Sequence, residues 1–172
     1  MKKPVVALIL CVIIVISSTV ISVHHDLDPR CDSVREGFSE ISDQLVTVCT
    51  ASDGIIKLAE KYEIDEFVTF EAGDLCSSMR FSIGDDDPAE LSSLYRMLLT
   101  QVDSIRTSLK LKGLSDEDAK LYNEFESEYL SAQKRIGESD YNEDVSSCLK
   151  NLGFFSRSMA RLCGVRLPEQ FA

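Results

Sequence analysis

Cysteine and histidine are the side chains of this sequence that could do chemistry, and both are few. There are six cysteines and two histidines, and the histidines are the adjacent pair His24 and His25. Histidine is the usual general base and a frequent metal ligand, so a nucleophile activated by histidine or a metal core built on histidine is not expected. The sequence has no glycine loop that would cradle a phosphate. With no catalytic constellation, we expect neither an enzyme nor a cofactor.

His25 offers one candidate metal site, which depends on where the mature chain begins. If Val23 is the new N-terminus, His25 becomes the third residue of a free chain end. A terminal amine, two backbone amides and that imidazole can then surround Cu²⁺ or Ni²⁺ in a square plane, the geometry these ions prefer. The alternative is a disordered tail that carries two incidental histidines.

Five cysteines remain after the first 22 residues, which suggests two disulfides and one free thiol in an extracellular domain. Cys49 and Cys76 would lie nearly level, about 21 Å and about 18 Å from a tight turn that joins their helices. Cys148 and Cys163 would be about 22 Å apart on one helix, beyond disulfide reach unless Asn151 and Gly153 break it. In an alternating bundle the fifth helix runs parallel to the first, which favours Cys148 as the partner of Cys31. We predict the pairs Cys49–Cys76 and Cys31–Cys148, and a free Cys163 that would allow a covalent homodimer. The alternative is that some of these cysteines are buried reduced thiols.

Residues 1–22 have the layout of a secretory signal peptide. Lys2 and Lys3 precede an apolar run from Val5 to Ile16, and polar residues follow it. We predict cleavage before Val23, with a cut nearer Ser17 or Ser18 as a second possibility, and cleavage would make the protein secreted and extracellular, with no membrane contact. The alternative is a retained signal anchor, because the apolar run continues weakly to Val23 and nearly reaches the length that spans a bilayer.

The clearest helix signal lies between Asp87 and Gly113. Asp87 can cap the first free amides, Pro88 has no amide to leave unpaired, and Gly113 can end the helix. Apolar residues recur in steps of three and four and so share one side of a helix: Leu91, Leu94, Leu98, Val102, Ile105 and Leu109.

The same period recurs along the rest of the chain and predicts an all-α fold. The predicted helices span 28–63, 65–82, 88–112, 116–136 and 140–163, and residues 23–27 are expected to be a solvated tail. Ser52 to Gly54 could still divide the first helix into two pieces. Short connections favour antiparallel neighbours. We therefore predict one domain, 23–172, an antiparallel (up-and-down) bundle of about five helices stabilised by disulfides.

The layout of leader, helical hairpin and bundle resembles that of the plant inhibitors of invertase and pectin methylesterase. The closely spaced first cysteine pair of that family has no counterpart here, since Cys31 and Cys49 are eighteen positions apart. The motif around their second pair is not seen at Cys76. The resemblance is therefore one of architecture alone, and the sequence is not assigned to the family.

The charge of the chain limits its partners. There are 18 basic and 29 acidic residues, and removing Lys2 and Lys3 with the leader leaves 16 against 29, a net charge of −13. Such a surface repels phosphate backbones and anionic lipid heads, so we expect no nucleic-acid binding. The sequon for N-glycosylation is absent.

Two function classes remain for this sequence. The first is an interaction protein, such as a ligand, effector or inhibitor, that binds an extracellular protein partner through its acidic outer faces. The second is a carrier of a small apolar molecule in the bundle core. The apolar rows are narrow and mix large with small side chains, which favours a filled core and hence the interaction protein. Phe154, on a polar helix face, is a candidate partner contact unless the C-terminal tail covers it.

Overall fold

The computed structural model describes residues 2–85 and 87–152, together with 157, 158, 160 and 167–171. Within these residues the protein is all-helical and has no strand, which confirms the predicted all-α class; no cysteine pair among them lies at disulfide distance, so the predicted stabilisation by disulfides is not shown. A short 3₁₀ turn, Ile83–Asp85, precedes α3. The α-helices in chain order are α1 (Lys2–Lys61), α2 (Glu66–Ser82), α3 (Pro88–Lys112), α4 (Asp116–Gly137) and α5 (Tyr141–Asn151).

The chain divides into two compact units. Phe38–Asp140 and Gln170–Ala172 form the first, which we call the bundle unit; it contains the C-terminal part of α1 together with α2, α3 and α4. Met1–Gly37 and Tyr141–Glu169 form the second, which we call the terminal unit.

Helices that pack together in the bundle unit run antiparallel. Between α2 and α3, Glu71 contacts Gln101 and Ser82 contacts Glu90, so the residue number falls on α3 as it rises on α2. Between α1 and α4, Gly54 contacts Phe125 and Lys61 contacts Asp118, and the numbers again run in opposite directions.

α3 begins and ends at the predicted residues, for the predicted reasons. The Asp87 carboxylate accepts hydrogen bonds from the amides of Ala89 and Glu90, both at 3.1 Å. Pro88 occupies the first turn, where a missing amide costs nothing. Gly113 follows the last turn with a φ of 76°, a conformation that glycine adopts readily.

The core of the bundle unit contains the predicted apolar rows. Five of the six apolar residues predicted for α3 are fully buried, while Leu94 is half-buried and its neighbour Tyr95 is buried instead. Phe171 closes the core from the C-terminal tail, with its ring centroid 5.7 Å from Phe38 and 5.6 Å from Tyr95. The buried row of α1 is Phe38, Ile41, Leu45, Val48, Ser52, Ile55 and Ala59.

Gly54 does not divide α1, although it belongs to the segment, Ser52 to Gly54, that could have split this helix into two pieces. The helix is continuous through this position, and Gly54 is buried under the ring of Phe125 on α4. A Cβ atom added here would lie 2.6 to 2.7 Å from three ring atoms. The glycine therefore allows α1 and α4 to approach closely at this level.

The terminal unit has a smaller core of its own. Tyr141 and Val145 of α5 are buried, and the Tyr141 hydroxyl donates a 2.8 Å hydrogen bond to the carbonyl oxygen of Glu169. A second cluster consists of buried Leu152 and Ala160, with three half-buried residues packed against them: Cys148, Leu149 and Leu167.

The structure differs from the predicted helix limits at both ends of the chain. Residues 23–27, predicted as a solvated tail, lie inside α1, which also passes through Pro29. A proline inside a helix costs about 3 kcal/mol, but the helix can continue through it because the remaining residues keep their backbone hydrogen bonds. α5 is Tyr141–Asn151, whereas the predicted helix was 140–163; positions 153–156, 159 and 161–166 lie outside the described residues.

No helical segment in the described part of the chain combines the length and the hydropathy that crossing a bilayer requires.

Candidate interaction surface

α2 is fixed at its start by a cap and along one side by the bundle core. The Asp65 carboxylate accepts hydrogen bonds from the amides of Phe67 at 3.0 Å and Val68 at 3.4 Å. This is the arrangement of a helix N-cap. The inner side of the helix is buried and carries mostly small or sulfur-containing side chains: Thr69, Ala72, Leu75, Cys76, Met79 and Ser82.

Three phenylalanines project from the outer side of α2. Phe67, Phe70 and Phe81 are 72%, 74% and 79% exposed, respectively. Asp74 and Ser77 are also exposed and lie between them in the sequence. The five residues follow steps of three, four, three and four, so they share one stripe, about 21 Å long, on the helix. We call these five residues the phenylalanine face.

The phenylalanine face exposes a large aromatic area. If a phenylalanine offers about 200 Å² to a partner, the three rings together expose about 450 Å². The largest contiguous apolar patch on a typical monomer is about 300–600 Å² and is often functional, and here the area is divided between the pair Phe67 and Phe70 at one end of the helix and Phe81 at the other. These rings therefore contribute little burial to the fold.

The surroundings of the phenylalanine face are acidic. Arg80 is the one cation in the sequence of α2, and its guanidinium lies 2.6 Å from the carboxylate of Asp53 on α1. Five acidic residues occur at the start of α2 and along it: Glu63, Asp65, Glu66, Glu71 and Asp74. The face therefore presents aromatic rings within a negative surface.

Cys49 of α1 and Cys76 of α2 lie next to each other where the inner side of α2 packs against α1. The Cys49 sulfur is 3.7 Å from the carbonyl oxygen of Cys76, and the Cys76 sulfur is 3.9 Å from the carbonyl oxygen of Cys49. Both side chains are fully buried. The contact with the Cys49 sulfur, together with burial, raises the pKa of Cys76. The structure thus brings these predicted disulfide partners together as two thiols.

Asp118 organises a polar network where α1 ends and α4 begins. Its carboxylate accepts from the Lys61 ammonium at 2.7 and 2.8 Å, from the Tyr62 hydroxyl at 2.7 Å and from the Ser115 hydroxyl at 2.8 Å. The Lys61 hydrogen bonds, followed by those from Tyr62 and Ser115, lower the pKa of Asp118 to about 2. The network ties the α1–α2 turn to the α3–α4 turn.

Glu126 organises a second network between α3 and α4. Its carboxylate lies 2.8 Å from the Lys110 ammonium and accepts from Arg106 and from the Tyr122 hydroxyl, the last at 3.0 Å. Burial acts to raise the pKa of Glu126, but the hydrogen bonds from Lys110, Arg106 and Tyr122 outweigh it and lower the pKa to about 2. The Arg106 guanidinium also lies 5.4 Å from the ring centroid of Tyr129.

Neither network is arranged for proton transfer. A general acid or base works best with a pKa near the working pH, whereas Asp118 and Glu126 are held ionised by the donors around them. Among the described residues there is no group of three or more histidine, cysteine, aspartate or glutamate side chains that could hold a metal ion. The two networks serve to join helices.

A cavity of about 300 Å³ lies within the terminal unit. Its lining combines two residues of α1 with residues of α5 and the turn after it: Ser33, Val34, Asp144, Cys148, Asn151 and Leu152. Cys148 is half-buried there. The cavity brings Cys148 close to the stretch of α1 that follows Cys31, its predicted disulfide partner.

The remaining predicted site residues are placed as follows. His25 lies within α1 with an exposed side chain. The side chain of Cys31 lies outside the described part of the structure, and so do Phe154 and Cys163 entirely. The structure therefore brings together Cys49 and Cys76 from the predicted set.

The phenylalanine face was not predicted from the sequence, although a signal for it exists. The apolar row that the sequence predicts for α2 is the inner one, and four of its five members are buried while Val68 is half-buried: Val68, Ala72, Leu75, Cys76 and Met79. Phe67, Phe70 and Phe81 fall on a second row with the same period on the opposite side of the helix. A helix that packs on one core needs one apolar row, so the second row of α2 is the signal for an exposed aromatic surface.

The fold and this surface define a class, an all-helical bundle with an exposed aromatic face. Comparison with protein-family models, with curated proteins and with solved structures finds no match for this chain.

Proposed function

We propose that this protein is a secreted interaction protein that binds another extracellular protein through the phenylalanine face. The observation that carries the proposal is the exposure of Phe67, Phe70 and Phe81 on one side of α2. Aromatic residues are enriched among the residues that dominate binding energies, and exposed rings on a rigid helix lose little entropy when they bind.

The packing of the bundle unit supports an interaction protein over a carrier. A carrier of a drug-sized apolar ligand needs a mostly apolar pocket of about 300–1,000 Å³. The cavity in the terminal unit is at the lower limit of that range, and its lining includes Asp144, Asn151 and Ser33. In the bundle unit the largest core side chains, such as Tyr129, Leu45 and Met79, are fully buried against their neighbours. A carrier remains the second candidate function.

Secretion and disulfide formation belong to the same proposal. Removal of the leader at Val23 would place the protein in an oxidising compartment, where adjacent thiols become disulfides. The packing of Cys49 against Cys76 supports the first predicted bond, although the two sulfurs are not at disulfide distance, and the position of Cys148 beside Ser33 and Val34 supports the second, to Cys31.

Non-reducing peptide mapping of the secreted protein tests the disulfides. We expect one peptide pair that joins Cys49 to Cys76 and one that joins Cys31 to Cys148, with Cys163 open to alkylation. A bond between Cys148 and Cys163 would contradict the proposed connectivity.

Affinity capture from native extracellular fluid tests the function itself. The wild-type protein is expected to retain a protein partner that the variant Phe67→Ser/Phe70→Ser/Phe81→Ser does not retain. A matched control replaces three exposed leucines at the end of α3 and on α4: Leu111→Ser/Leu121→Ser/Leu130→Ser. Equal capture by the wild-type protein and the phenylalanine variant would show that the partner binds elsewhere. A stoichiometric apolar ligand in native mass spectrometry would favour the carrier.

A further inference from the structure

We propose that the phenylalanine face binds an amphipathic helix of the partner, and that this helix carries a lysine or arginine opposite Asp74. This inference rests on the proposed function and specifies the chemistry of the partner.

The spacing of the face indicates that its partner is a helix. Phe67, Phe70, Asp74, Ser77 and Phe81 occupy successive a and d positions of a heptad pattern over two heptads. A stripe with this period matches the side chains of a second helix that crosses at a shallow angle of about 20°. An extended peptide, with its period of two, would meet the three rings at irregular intervals.

The shape of the face sets where the partner's large side chains must lie. Phe67 and Phe70 form one aromatic end, and Phe81 forms the other. Between them lie the small residues Gly73 and Ser77, and nothing lies within 4 Å of the position that a Gly73 Cβ would take. The partner helix therefore fits best with apolar residues near both ends and a long side chain at its centre.

Asp74 determines the charge of that central side chain. It is exposed, and no cation in the described part of the chain forms an ion pair with it. A helix that packs onto the face would cover this carboxylate, and covering an unpaired charge is costly. A lysine or arginine opposite Asp74 removes the cost and fixes the register of the two helices.

A second copy of this chain does not meet the same requirement. If two phenylalanine faces packed together about their centres, Asp74 would face Asp74 of the other copy in either the parallel or the antiparallel arrangement. Like charges at the centre of an apolar interface oppose association. The net charge of −11 adds a long-range repulsion between copies and a long-range attraction for a basic helix.

Two synthetic peptides and two charge variants test the inference. Each peptide is an amphipathic helix of about three heptads with leucine in its apolar row. One carries lysine at the central position of that row, and the other carries glutamate. The proteins compared are the secreted wild type, Asp74→Lys and the control Glu128→Lys, which makes the same charge change at an exposed position on α4. Fluorescence anisotropy measures the Kd of each combination.

The expected result is an exchange of preference. The wild type and Glu128→Lys should bind the lysine peptide at least about tenfold more tightly than the glutamate peptide. Asp74→Lys should bind the glutamate peptide more tightly. Equal Kd values for the two peptides, or the same preference in Asp74→Lys as in Glu128→Lys, would overturn the inference.

Two further outcomes separate this inference from the proposed function. If neither peptide binds while capture of the extracellular partner still requires Phe67, Phe70 and Phe81, the helical basic partner is wrong and the proposed function stands. If capture does not require the three phenylalanines, the proposed function is wrong. A wild-type dimer that Phe70→Ser dissociates in sedimentation experiments would identify a second copy as the occupant instead.

Discussion

The two sides of α2 use apolar side chains in opposite ways. The inner side is buried and includes Ala72, Cys76 and Met79, which let α2 approach its neighbours closely. The outer side carries the large rings of Phe67, Phe70 and Phe81, each more than two-thirds exposed. The size of an apolar residue therefore does not indicate whether it belongs to the core. The inner side should determine stability and the outer side should determine binding.

Truncating one residue on each side should separate stability from binding most clearly. Met79 is fully buried, so Met79→Ala should lower the free energy of unfolding by about 2–5 kcal/mol. Phe81, two positions away, is 79% exposed, so Phe81→Ala should change the free energy of unfolding by no more than about 0.5 kcal/mol. Urea unfolding of the two variants measures both values. A large loss for Phe81→Ala would mean that the ring supports the fold.

Gly54 allows a similar test at the contact between α1 and α4. In Gly54→Ala the new methyl group would overlap the Phe125 ring, so the ring or the helices must shift, and we expect a loss of about 1–3 kcal/mol. In a Phe125→Ala background the same change should cost much less, because the ring is gone. Denaturant unfolding of the double-mutant cycle gives the coupling, and additive losses would contradict the observed contact.

Acid should weaken the two carboxylate networks of the bundle unit. The pKa values of Asp118 and Glu126 are both lowered to about 2 in the folded protein. The unfolded chain therefore takes up protons first, so the stabilisation is present above a pH of about 4.5 and is lost as the pH falls toward about 2. Unfolding of wild type and Glu126→Gln across this range should show their difference in stability narrowing. A constant difference would argue against the network.

The smallest effect is expected at the hydroxyl of Tyr129. This residue is fully buried, and its hydroxyl has no hydrogen-bond partner among the residues that the structure describes. Removal of an unpaired buried polar group is neutral or stabilising, so Tyr129→Phe should change the free energy of unfolding by about 0 to +1 kcal/mol. Thermal unfolding detects the sign, and a clear destabilisation would reveal a partner for this hydroxyl.

The regular features of the fold were predictable from the sequence because they depend on residues close together in the chain. The apolar period identifies the helices, and Asp87, Pro88 and Gly113 identify the limits of α3. The inner row of α2 followed from the same period. Helical geometry alone also placed Cys49 level with Cys76, and the structure puts these residues side by side.

The remaining features depend on residues far apart in the chain. Lys61 and Asp118 are 57 positions apart, so no local pattern joins them. The glycine at position 54 suggested a helix break, whereas its role depends on Phe125, a residue on another helix. The phenylalanine face was missed because the period identifies the row that packs on the core and does not report what a second row on the opposite side of the helix does.

Photocrosslinking at position 70 tests most directly whether the outer side of α2 is a binding surface. A photoreactive phenylalanine analogue would replace Phe70 in one sample and Leu130, exposed on α4, in the other. After irradiation in native extracellular fluid, we predict that the label at position 70 joins a distinct partner protein and that the label at position 130 does not. Equal labelling from both positions, or no partner from position 70, would contradict the account.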